Sequence, residues 1–261
     1  MTKHVSVLLN ETINGLNIKP GGVYVDLTLG RGGHSREILK HLGKGHLIVF
    51  DKDEVALEES KENLKGFEAK ITPIHDDFRN FKKHLDELGI EKIDGIMADL
   101  GVSSPQFDDA TRGFSYKENA RLDMRMDKRQ SLSAYEVINS YSLNDLARIF
   151  REYGEDKYSF QIAKNIVKAR EVGPIETTFQ LVDIIKLSKP QKELMKKGHP
   201  AKQIFQAIRI EVNDELGALK DALKDALKVL KVGGRAAFIT FHSLEDRLVK
   251  NVFNEVSKIE G

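Results

Sequence analysis

The first hundred residues of the chain alternate between strand-like and helix-like stretches. VYVDLTLG (23–30) is rich in β-formers and ends in glycine, and GHSREILKHLG carries apolar residues at helical spacing before a glycine stop. HLIVFDKD (46–53) is a second strand of the fully buried type, followed by the charged amphipathic stretch EVALEESKENLKGF. AKITPIHDDF, FKKHLDELGI and IDGIMADLG (93–101) extend the series. A β-α-β-α-β-α-β order needs right-handed crossovers and predicts a parallel sheet, an α/β Rossmann-like core. Ligands of such sheets sit beyond the C-terminal strand ends, near the reversal of strand order.

After residue 105 the pattern changes to turn chemistry and helical periodicity. NDLARIFREYG and KYSFQIAKNIVKAREVG read as helices, and Thr177 or Thr178 is placed to cap a helix through FQLVDIIKL. Alternation resumes with one long helix over 203–232, whose apolar positions 204, 208, 212, 216, 219, 223, 227 and 230 recur every three or four residues. Gly233 and Gly234 are expected to stop it before the strand RAAFITF (235–241), and EDRLVKNVFNEVSK forms the last helix. The expected organisation is a core of residues 1–105 and 203–261 interrupted by a helical insertion, 106–202.

Composition narrows the function. The 261 residues are 40% apolar and 31% charged, and they include no cysteine, which excludes disulfides, thiolate metal sites and a cysteine nucleophile. No signal-type apolar region opens the chain, and no apolar stretch approaches the ~20 residues of a membrane span, so a cytoplasmic protein with no membrane partner is expected. With a net charge of +1, any polyanion must be met by a local patch. KLSKPQKELMKKGHPAK (186–202) offers Lys186, Lys189, Lys192, Lys196, Lys197 and Lys202 against the single acid Glu193. It reads equally as a phosphate-binding surface or a solvated loop.

The turn VDLTLGRGGHS (25–35) follows the first strand, where a cofactor belongs. Gly30 and Gly32 fit the first two places of a G-x-G-x-x-G dinucleotide fingerprint, but Ser35 stands at the third. The P-loop pattern is absent, which argues against nucleotide hydrolysis. Asp26 gives D-x-x-x-G-x-G instead, a spacing that resembles the first motif of S-adenosylmethionine (SAM)-dependent methyltransferases. Asp51 closes the second strand where an acid accepts ribose hydroxyls, and Asp99 ends the fourth. Turn geometry or strand-end solvation is the plainer account of each residue alone. No residue group has metal-ligand spacing, since DKDE lacks the glycine and distal glutamate of a calcium loop.

Ser104-Pro105-Gln106-Phe107 is similar to the [DNS]-P-P-[YFW] motif of methyltransferases acting on exocyclic base amines, with Gln106 in place of the second proline. The lone pair of such an amine is delocalised into the ring. A side-chain oxygen and a backbone carbonyl that accept its N–H bonds localise the pair, and an aromatic ring holds the base by stacking. Alignment supplies most of the rate. A bare Ser-Pro is otherwise a turn starter.

DLGVSSPQFD, RGFSY (112–116), LDMRMD (122–127), GHPAKQIFQAIRIEVNDEL (198–216) and ITFHSLEDR (239–247) together resemble the 16S ribosomal RNA (cytosine-N4)-methyltransferase family, known as RsmH or MraW. The resemblance runs from HVSVLLNET to the last helix. It implies a class I SAM-dependent methyltransferase core with a helical insertion domain, 106–202, that recognises the RNA substrate, SAM as cofactor, and a decoding-region cytosine of 16S rRNA in the small ribosomal subunit as acceptor. A homodimer is compatible with it. By resemblance, Gly32, Gly33 and His34 line the methionine end of SAM, Asp51 its ribose, and Phe78, Asp99 and Gln106 the adenine side. Ser104, Pro105 and Phe107 carry the catalytic geometry. Phe78 as ordinary core and His34 as the first turn of a helix are the structural alternatives.

Asp123, Arg125 and Asp127 stand on alternate positions, suiting an extended segment aimed at substrate or a locally neutralised ion cluster. His242 follows the strand RAAFITF and would either contact RNA or cap the next helix with Ser243. Substrate contact is thus assigned to Asp123, Arg125, Lys196, Lys197, His199, Lys202 and His242. Family members continue past this point with a basic segment and a strand-like stretch. If the end at Lys258-Ile259-Glu260-Gly261 is a truncation, an edge strand and part of the RNA-binding charge are missing.

Overall fold

The computed structural model describes residues 6–258, apart from the side chains of Ser104 and Pro105. It divides into two compact units, residues 1–105 with 216–261 and residues 106–215.

The first unit begins with α1 (Leu9–Leu16), β1 (Val23–Asp26), α2 (Gly33–Leu42), β2 (His46–Asp51), α3 (Glu54–Ser60), β3 (Lys70–His75), α4 (Phe81–Glu87) and β4 (Ile93–Asp99). A short helix, α5 (Ser104–Asp108), crosses into the second unit. That unit is built from α6 (Ala134–Ser140), α7 (Leu143–Glu152), α8 (Ser159–Val172), α9 (Thr178–Leu187), α10 (Gln191–Leu194) and α11 (Lys202–Asn213). The chain returns through α12 (Glu215–Val229), β5 (Leu230–Ile239) and α13 (Ser243–Ser257).

The five described strands form one sheet in the order β3-β2-β1-β4-β5, and each neighbouring pair in it is parallel. The chain lays β2 and β3 on one side of β1 and β4 on the other, so the strand order reverses between β1 and β4. Side chains of period two divide the core between the faces. Leu47 and Val49 of β2 pack with Tyr24, Met97 and the α2 residues Ile38, Leu39 and Leu42. Ile48 and Phe50 pack with Val25, Ile96, Phe81, Leu85 and the α12 residues Leu219 and Leu223. The continuous apolar run HLIVF therefore serves two cores at once, as strands covered on both faces do.

Two elements depart from expectation. The helix foreseen over 203–232 breaks at Asp214, which adopts a left-handed φ of 45°. Asn213 explains the site of the break. Its amide accepts from Met126 N–H at 2.8 Å and donates to the carbonyls of Met124 at 2.8 Å and Arg209 at 2.9 Å. Arg209 and Glu215 bracket the break with a half-buried ion pair at 2.7 Å. α11 consequently packs with α6 and α7, and the helical unit extends to Glu215 rather than ending at 202. Likewise, Gly233 and Gly234 do not separate helix from strand. β5 starts at Leu230, opposite Ile93, and resumes pairing at Arg235 opposite Gly95. The glycines lie in the bulge between, where Lys231 reaches Asp94 at 2.8 Å.

Within the helical unit, Thr177 forms the expected cap, in a capping box with Gln180. Arg170 donates to the carbonyls of Ile138 and Tyr141 at 2.8 and 2.7 Å, and the Asn139 amide pairs with Ile175.

Candidate functional site

At the switch between β1 and β4 the glycine turn is held by acids acting as backbone acceptors. Asp26 is fully buried and accepts from Ser35 Oγ at 2.6 Å and Thr28 N–H at 3.0 Å. Burial raises its pKa, and these bonds oppose the rise. Thr28 Oγ1 accepts from Asp99 N–H at 2.6 Å, joining the ends of β1 and β4. Asp51 Oδ2 accepts from Gly30 N–H and its Oδ1 from Asp53 N–H, each at 2.9 Å. Burial pushes the Asp51 carboxyl up to about 6 against those two bonds. An ionised carboxylate has about four acceptor positions, so two remain for a ligand's hydroxyl groups.

The glycines have different reasons. Gly30 holds φ 52°, and a side chain there would meet nothing nearer than Ser103 Cβ at 3.9 Å. Gly32 holds φ 78° and starts α2 with no side-chain cap. A Cβ on Gly33 would lie 2.0 Å from Ser6 Oγ, so the chain's own segment approaches the backbone there. His34 is buried, with Nε2 3.0 Å from the Val7 carbonyl oxygen and Nδ1 3.8 Å from Asp99 Oδ2. Phe78 opens a short 3₁₀ turn after β3 and is half-buried against the Ile48–Phe50 core. The first unit thus brings Gly32, Gly33, His34 and Asp99 to one turn, with Asp51 bonded to it. The donor set fits a nucleoside cofactor: a two-oxygen acceptor at the end of β2, open space at Gly30 and an uncapped helix start.

His242 caps α13, with Nδ1 accepting from Glu245 N–H at 3.4 Å, and its side chain is only 8% exposed. Of the two expectations for it, the structure carries the cap.

The remaining predicted residues, apart from Ser104 and Pro105, belong to the helical unit. Gln106 is buried and the Phe107 ring is 45% exposed. The catalytic assignments to the Ser104 and Pro105 side chains fall outside the described residues. LDMRMD is not an extended display of three charges, because Met124 adopts φ 60° and turns the chain. Asp123 holds Arg125 through two bonds of 2.9 Å, and Asp127 holds Arg129 at 2.7 Å. Burial favours the neutral Asp123 carboxyl, but Arg125 outweighs it and holds the pKa below the usual range. Arg125 is also anchored to the Gln130 carbonyl at 2.9 Å, and buried Arg112 donates to the carbonyls of Arg125 and Met126. The cluster is neutralised within itself.

The lysines separate into two kinds. Lys189 is buried, pairing with Asp156 at 2.5 Å and donating to the Pro200 carbonyl at 2.8 Å, so it is withdrawn from any phosphate surface. Lys196 is exposed and shares Glu193 with Lys157. Lys186, Lys192, Lys197 and Lys202 are exposed. His199 stacks on Tyr116 with ring centroids 4.3 Å apart, and its Nδ1 accepts from Ala201 N–H. Burial, then Lys186 and Lys117, push its pKa down, so it offers a neutral ring rather than a charge.

Sequence reasoning missed the buried bond from Ser35 to Asp26, the Ser6–Val7 approach and the Asn213 clamp. Only the first had a local signal, a hydroxyl one turn into the helix that follows a strand-end acid.

A model of the MraW methylase family matches residues 1–260. Among solved structures, a Clostridium thermocellum protein assigned as an rRNA-methylase is 23% identical, over 40% of this chain and 55% of that one, with a TM-score of 0.33. The crystal structure of PH0851 is 15% identical, over 97% of this chain and 37% of that one, with a TM-score of 0.46. The chain thus spans about half the length of the first of these proteins and over a third of the second.

Proposed function

The chain belongs to the MraW methylase family, a family of the SAM-dependent class, and from that premise we propose that it methylates the N4 amine of a decoding-region cytosine in 16S rRNA of the small ribosomal subunit. The observation that carries the cofactor half of this reading is Asp51, at the C-terminal end of β2 and bonded to the Gly30 amide beside the switch point. Bound SAM supplies a sulfonium methyl group open to a nucleophile. Asp51 accepts the ribose hydroxyls, Phe78 flanks the adenine, and the Gly32–Gly33 turn receives the amino-acid end. Asp26 acts through the loop, holding Thr28 and Ser35 so that the turn keeps its shape.

For the acceptor, the work of the protein is alignment. A cytosine amine is a poor nucleophile, and the Ser104–Phe107 stretch supplies acceptors for its N–H bonds and an exposed ring for the base. Lys196, Lys197 and Lys202 hold phosphates, with the Tyr116–His199 pair as an uncharged stacking surface among them. Asp123 and Arg125 shape this unit and act on substrate only indirectly. A cytosine within helical RNA must be unstacked to be reached, which favours a particle that already presents it.

Isotope-labelled SAM, incubated with small subunits from cells lacking the modification, tests the proposal. Label enters 16S rRNA with the native chain and is lost with Asp51→Ala. Tight SAM binding without transfer to rRNA would overturn the acceptor assignment.

A further inference from the structure

The segment Ser6–Leu8 lies on the cofactor turn. Ser6 Oγ occupies the space that a Gly33 side chain would fill, and the Val7 carbonyl is held by His34 Nε2 at 3.0 Å. The Leu8 carbonyl accepts the first bond of α1, from Thr12 N–H at 2.9 Å. Leu8 itself sits at φ 48°, a left-handed conformation that a bulky residue holds only where its surroundings impose it. A carbonyl oxygen can only accept, so Nε2 carries the proton of this bond. That leaves Nδ1 facing Asp99 Oδ2 at 3.8 Å. The ring is 5% exposed and reaches a ligand only through the groups it holds.

Resting on the methyl-donor reading above, we propose that Ser6 is a further cofactor-contacting residue whose hydroxyl walls the amino-acid end of the donor, and that His34 is a positioning residue acting through the Val7 carbonyl. The chemistry matches. The amino-acid end carries an ammonium and a carboxylate, and a serine hydroxyl both accepts and donates. The uncapped start of α2 beside it favours the carboxylate.

The test compares two ligands by calorimetry: S-adenosylhomocysteine, and 5′-methylthioadenosine, which has the same nucleoside and thioether but no amino-acid end. Ser6→Ala is expected to weaken S-adenosylhomocysteine about tenfold, the loss of one hydrogen bond, and to leave methylthioadenosine within about twofold. His34→Phe gives the same selective loss, and His34→Gln, which keeps an N–H donor for Val7, restores most of it. Asp51→Asn weakens both ligands, since both carry the ribose. Equal weakening of both ligands by Ser6→Ala, or no effect on either, would overturn this inference and leave the donor reading standing. A native chain that binds neither ligand would overturn both.

Discussion

In the proposed reading, Asp51 carries most of the chemistry of the cofactor site, and its protonation sets two opposite pH dependences. Ribose hydroxyls donate best to an ionised carboxylate, and burial has pushed this carboxyl up to about 6. Donor affinity is therefore steady above that pH and falls below it. Asp51→Asn binds more weakly and with a flat profile, as calorimetry from about pH 5 to pH 8 would show. Stability runs the other way. The folded state holds this proton more tightly than the unfolded chain, so the group stabilises the fold below the unfolded carboxylate range, about pH 4, and the contribution fades as pH rises through about 6. Urea titrations should accordingly show Asp51→Asn gaining on the native chain at pH 8 relative to pH 5. A constant difference between the two pH values would contradict the raised pKa.

The same reasoning separates the lysines that a sequence lists together. Lys189 and Asp156 are both buried, 7% and 1% exposed, so removing one partner strands a charge in the interior. Asp156→Ala should cost about 3–5 kcal/mol, read as a lowered urea midpoint. Lys196→Ala, at an exposed pair, should stay within about 1 kcal/mol. Similar costs for the two would refute the division.

Among elements, the break between α11 and α12 shows what periodicity reveals and what it hides. Apolar spacing continues through Asp214, so the pattern reads as one helix. The break depends on Asn213 reaching Met124 and Met126, residues far away in sequence. Asn213→Ala removes three bonds and leaves buried backbone groups of Met124 and Met126 without their partner. A loss of about 2–6 kcal/mol is expected in thermal melts, from roughly 1–3 kcal/mol for each of the two stranded groups. A change under about 0.5 kcal/mol would show that the clamp is incidental. The β5 bulge was hidden for a related reason. Gly233-Gly234 is a stop signal by local chemistry, yet four residues loop opposite Asp94 while pairing resumes beyond them. By contrast, the β1–β4 strands were legible because each is a short apolar run bounded by glycine or acid. The cap at Thr177 was legible because its hydroxyl and Gln180 stand three residues apart. In the candidate site, Asp51 and the glycine turn could be read from position in the alternation. Ser6 at Gly33 could not, since nothing local says which distant backbone needs the room.

For the whole molecule, a net charge of +1 means that the proposed RNA binding needs a local patch of charge, and the exposed lysines are the proposed one. Lys197→Ala and Lys202→Ala should weaken binding to all RNA sequences alike. Each should also reduce the slope of log affinity against log salt by about one, measured by filter binding over a salt series. An unchanged slope would place the phosphate contacts elsewhere. Among the described residues, no helix is long and apolar enough to cross a membrane.

Nucleoside analysis identifies the acceptor atom. Small subunits lacking the modification are methylated with labelled SAM, the 16S rRNA is digested to nucleosides, and the labelled species is identified by mass and retention. Label is expected in N4-methylcytidine alone. Label in a ring-methylated or ribose-methylated nucleoside, from a chain that binds SAM tightly, would contradict it.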